Sequence, residues 1–107
     1  MRILLDEGVP DILQKRFTHL SIVTVQELAW RGIKNGVLLD LMTGQFELLI
    51  TTDKNIPFQQ DLLKRQISAI VLPSNRIRIL KRLLPQIESA ISTIKPGEAI
   101  EIPWPHD

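Results

Sequence analysis

A chain of 107 residues has room for one domain with a single core and is too short for two. Hydrophobic residues make up 44% of it, ordinary for a globular protein and too many for a disordered one. Cysteine is absent, which excludes both a disulfide frame and a thiolate metal site.

Met1-Arg2, three apolar residues and Asp6-Glu7 make a start too short and too acidic for a signal peptide. No apolar run approaches membrane-spanning length, so a cytoplasmic location without membrane contact is expected. The net charge of +1 hides an asymmetry. Acids outnumber bases before Leu62, whereas from Leu62 to Ile87 there is no acid, and Lys64, Arg65, Arg76, Arg78, Lys81 and Arg82 fall there. Such a segment suits a polyanion held beside an acidic site, or forms a solvated helix face.

Arg2 to Leu5 reads as a short buried strand, broken by Gly8-Val9-Pro10. Pro10 and Asp11 suit the first turn of a helix whose Ile12, Leu13 and Phe17 share an apolar stripe. Leu20 to Val25, dense in β-branched residues, is the second strand and ends in Gln26-Glu27. A short turn over Leu28 to Gly32 follows. Asn35 is placed as N-cap of a helix over Gly36 to Met42, stopped at Thr43-Gly44-Gln45.

The third strand is Phe46 to Thr52, running into Asp53-Lys54. Pro57 opens a helix over Phe58 to Arg65, and Ser68 to Leu72 is the fourth strand. From Arg76 a long helix carries Ile77, Leu80, Leu84, Ile87, Ile91 and Ile94 at helical spacing, with Pro85 expected to kink or split it. After Pro96-Gly97, Ala99 to Ile102 forms a closing strand, ended by Pro103-Trp104-Pro105. That apolar closing strand offers an edge for a homodimer or a docked partner.

Strands and helices alternate, and the strands are too apolar to show one face to water. This predicts one α/β domain over residues 1–107, a parallel sheet with helices on both faces and right-handed crossovers. All carboxyl ends of the strands then share one edge, where Asp6, Glu27 and Asp53 gather. With the first strand between the second and third, Asp6 falls beside Asp53 at the switch point.

Ile3-Leu4-Leu5-Asp6-Glu7 with Pro10 behind it, Val25-Gln26-Glu27-Leu28 before a glycine, and Leu49-Ile50-Thr51-Thr52-Asp53-Lys54 resemble the small PIN-like proteins. These are toxin components of bacterial toxin–antitoxin pairs, related in fold to PIN-domain ribonucleases. The resemblance covers the chain to about Ile94. It implies a three-layer fold with strand order second-first-third-fourth, and an acidic cluster holding Mg²⁺ or Mn²⁺ for phosphodiester hydrolysis. RNA is then the implied substrate and a cognate antitoxin the implied partner.

Carried over residue by residue, Asp6, Glu27 and Asp53 match the acids that end the first three strands, as catalytic residues and metal ligands. Asn35 stands where an acid usually opens the next helix and supplies a neutral oxygen instead. Asn55 replaces a further acid, and Gly8 replaces the asparagine of the usual start. So reduced, the set suits one ion at most. Lys54, Arg76, Arg78 and Arg31 are candidate phosphate contacts. The competing readings are plain: strand-end acids that cap helices or pair with Lys54 and Arg31, and arginines of a solvated face. The same departures admit a non-catalytic module that binds a partner protein or RNA.

Overall fold

The computed structural model describes residues 1–56 and 61–106. The described residues form, in chain order, β1 Arg2–Leu5, α1 Ile12–Arg16, β2 Ser21–Thr24, α2 Asn35–Met42, β3 Leu48–Thr51, α3 Leu62–Arg65, β4 Ser68–Val71, α4 Ile77–Arg82, α5 Leu84–Thr93 and β5 Ala99–Glu101. The strands make one sheet in the order β2-β1-β3-β4-β5, parallel at each pairing. This is the expected α/β architecture, with β5 as the short added edge strand.

The apolar runs explain the sheet. All four residues of β3, and all but Arg2 of β1, are buried, which requires a layer on each face. Alternation then sorts the side chains. Ile3, Leu5, Leu48 and Ile50 meet Leu13 of α1, Leu80 of α4 and Ile87 of α5. Leu4 and Leu49 point the other way, onto Leu38, Leu39 and Met42 of α2 and Leu62 of α3.

Boundaries differ from the sequence reading where local chemistry intervenes. Pro10 precedes α1, so the helix opens at Ile12 instead. The split expected at Pro85 is observed: Pro85 lies at the start of α5 and divides the long apolar stripe into α4 and α5, because proline suits a first turn and not an interior. Residues 57–60, the expected start of the fourth-strand helix, lie outside the described residues; its described part is α3.

The outer edge of β2 is closed by side chains. Gln14 Nε2 donates to the Ile22 carbonyl (2.8 Å), and the Thr24 N–H donates to Glu27 Oε1 (3.1 Å). Gln14 Nε2 also donates to Glu27 Oε1 (2.7 Å), so the pair stands in for a neighbouring strand. At the far edge, Gly97 approaches α3 so closely that a Cβ there would lie 2.6 Å from Leu63 Cα.

Candidate functional site

Two carboxylates meet at the carboxyl edge. The ladder pairs Leu5 with Ile50, and the Asp6 N–H continues it to the Ile50 carbonyl (2.9 Å). Asp6 is therefore the neighbour of Thr51, with Asp53 two residues further along. Since Leu5 faces α1, α4 and α5, alternation turns Asp6 and Thr51 toward the α2 side.

Thr51 joins the two acids. Its hydroxyl, fully buried, donates to Asp6 Oδ2 (2.7 Å) and accepts the Asp53 N–H (3.0 Å). Asp6 Oδ1 accepts the Glu7 N–H (2.8 Å), and Asp53 Oδ1 accepts the Asn55 N–H (2.9 Å). Asn35 Nδ2 donates to Asp53 Oδ2. Each of the four carboxylate oxygens thus receives one hydrogen bond and keeps lone-pair capacity for another ligand.

Burial raises the Asp6 carboxyl above its ordinary range, and the nearby charges of Asp53 and Glu7 push the same way. The bonds from Thr51 and the Glu7 N–H oppose that rise without cancelling it. A half-buried acid that holds its charge reluctantly beside a second acid is an environment that favours a cation.

Asn35 is the first residue of α2, and Lys34 occupies the cap position. The asparagine side chain is thereby free of capping and spans to Asp53. It presents its amide nitrogen, so service as an oxygen ligand would require half a turn of the amide.

Glu27 is not brought to the pair. Thr24 and Glu27 bond reciprocally, with the Glu27 N–H reaching Thr24 Oγ1 (3.1 Å), in the pattern of a capping box that closes the turn after β2. The Gln14 amide first, and the Thr24 N–H second, hold the Glu27 carboxyl below its ordinary range. Among the described residues, no three Asp, Glu or His side chains form a set that could hold a metal ion.

Lys54 and Arg31 are exposed at this edge, one beside Asp53 and one beside Gly32. The Gly32 N–H donates to Glu7 Oε1 (2.6 Å), which ties the β2–α2 connection to the end of β1. Arg76 and Arg78 project from the same edge but line a cleft with Pro10 and α4, across the sheet from the acids. Thr51, Thr24, Gln14 and Lys34 carried no role in the sequence reading. Two of these were signalled: a hydroxyl two residues before the strand-end acid, and Thr24-Val25-Gln26-Glu27 as a capping-box spacing.

Fold and site together define the class: an α/β protein whose all-parallel sheet carries an acidic pair at the carboxyl edge. No helix among the described residues is long and apolar enough to cross a membrane. No family model matches the chain, and neither curated proteins nor solved structures give a significant match.

Proposed function

We propose that the chain is a PIN-like, metal-dependent ribonuclease that uses one Mg²⁺ or Mn²⁺ held between Asp6 and Asp53. The observation that carries this reading is the pair itself, on adjacent strands and bridged by Thr51, with the Asp6 carboxyl raised by burial. The donor set fits such an ion: Mg²⁺ is commonly bound by one or two carboxylates, with water and substrate phosphate completing the shell. A bound divalent ion would polarise the phosphoryl group and supply an activated water.

The chain's own residues do the rest. Thr51 and the Asn55 N–H fix the two carboxylates, while Lys54, Lys34 and Arg31 offset phosphate charge on the α2 side. Asn35 would join as an oxygen ligand after its amide turns, and Glu27 only by giving up Gln14 and Thr24. The role of toxin, restrained by an antitoxin protein, rests on the sequence resemblance.

The test is cleavage of a single-stranded RNA with Mn²⁺, against an EDTA control. Asp6→Asn and Asp53→Asn are each expected to abolish cleavage with the fold retained. Cleavage that persists in both variants would overturn the proposal. One observation favours a second reading, a non-catalytic RNA-binding or protein-binding module: the Asn35 amide already meets Asp53 where a cation would. RNA binding without cleavage in any divalent ion would select that module.

A further inference from the structure

A cleft separate from the acidic pair opens between the β1–α1 connection and α4. It offers about 730 Å³ and is lined by Pro10, Asn75, Arg76, Ile77, Arg78, Ile79 and Arg82. That volume falls in the range of sites for small organic ligands. Arg76 and Arg78 are exposed and make no ion pair among the described residues. Arg82 forms one wall, its guanidinium donating to the His106 carbonyl (2.7 Å).

The cleft is not merely cationic. Ile77 is 48% exposed beside Arg76 and Arg78, and Pro10 and Ile79 are half-buried next to it. Guanidinium groups grip phosphate through paired donors and lie flat on the faces of bases. An apolar floor beside them suits the base or sugar of a nucleotide, where a bare inorganic anion would leave that floor wet. A peptide backbone would find the Asn75 amide but no strand residue among those that line the cleft.

We propose that this cleft binds a nucleotide unit, with Arg76 and Arg78 on its phosphate and Ile77, Ile79 and Pro10 under its base or sugar. The unit comes either from a single-stranded RNA or from a free nucleoside phosphate. The site requires no metal, so it stands or falls independently of the nuclease reading.

The experiment is done in EDTA. Fluorescence anisotropy with a labelled single-stranded oligoribonucleotide is run over a salt series, and AMP, inorganic phosphate and a glutamate-rich peptide serve as competitors. Arg76→Gln and Arg78→Gln are each expected to weaken RNA binding about tenfold and to reduce the log–log salt slope by about 0.7. Ile77→Ser is expected to weaken it about fivefold with the slope unchanged, because only apolar contact is lost. Competition by AMP better than by phosphate assigns a free nucleotide to the cleft. RNA binding that AMP does not displace, but that still responds to all three substitutions, assigns a strand. Three results would overturn the site: intact binding in both arginine variants, no effect of Ile77→Ser, or competition by the acidic peptide equal to that by RNA.

Discussion

Thr51→Val removes one hydroxyl and keeps the side-chain volume. The Thr51 hydroxyl is fully buried, donates to Asp6 Oδ2 and accepts from the Asp53 N–H. A hydrogen bond to a charged group is worth about 1.5–3 kcal/mol, and a neutral one about 1 kcal/mol. The added methyl returns about 0.8 kcal/mol through burial. The expected net loss is about 2–3 kcal/mol at pH 7, a large part of the stability of so small a domain.

The loss depends on pH. Burial raises the Asp6 carboxyl in the folded state, so its contribution to stability is full below the unfolded value of 3.8 and is lost as pH rises through the folded value. The Thr51 bond limits that rise, and Thr51→Val extends it. Urea denaturation at pH 7 and at pH 3.5 measures the difference directly. The variant is expected to lose about 1 kcal/mol less at the lower pH, where Asp6 is protonated and the bond is neutral. Equal losses at the two pH values, or a loss at pH 7 below about 0.5 kcal/mol, would refute the coupling of Thr51 to Asp6.

Asp6→Asn removes the reluctant charge, so in EDTA it is expected to melt higher than the wild type near pH 7 and to flatten the fall in stability above pH 3.8. A lower melting temperature would make Asp6 a structural partner instead. Gly97→Ala forces a side chain at φ +83° into a contact of 2.6 Å with Leu63 Cα, and is expected to cost about 2–4 kcal/mol in urea denaturation. Gly44→Ala, with similar φ and open space, is expected to cost about 1 kcal/mol. Glu27 has a lowered carboxyl, so its stabilising contribution is present above the ordinary value of 4.5 and lost as pH falls through the folded value. Glu27→Gln is expected to weaken acid unfolding in that window, read by circular dichroism, and to leave Mn²⁺ binding intact.

The sheet was legible because its strands are continuous apolar runs, and only a doubly covered parallel sheet buries such runs on both sides. The neighbouring of Asp6 and Asp53 followed from that, once the first strand was placed between the second and third. Glu27 was misplaced because its strand-end position looked like those of the other two acids. Its side chain instead follows the spacing from Thr24, a local bond that outcompetes the distant cluster. Asn35 looked like a cap, yet the one-residue shift of the cap to Lys34 frees its amide for Asp53. The separation of Arg76 and Arg78 from the acids turns on alternation within β1. Leu5 faces one core and Asp6 the other side, a distinction that needs the register and not only the topology.

The most direct test of the acidic pair is a calorimetric titration of the apo protein with Mn²⁺, with thermal unfolding followed in parallel. The wild type is expected to bind one ion per chain, and at a free concentration near 100 times Kd the gain in stability is about 2.7 kcal/mol. Asp6→Asn and Asp53→Asn should each remove both signals, and Glu27→Gln neither. A wild type that shows no Mn²⁺ binding, or binding that survives Asp6→Asn and Asp53→Asn, would contradict a metal site at the end of β1 and β3.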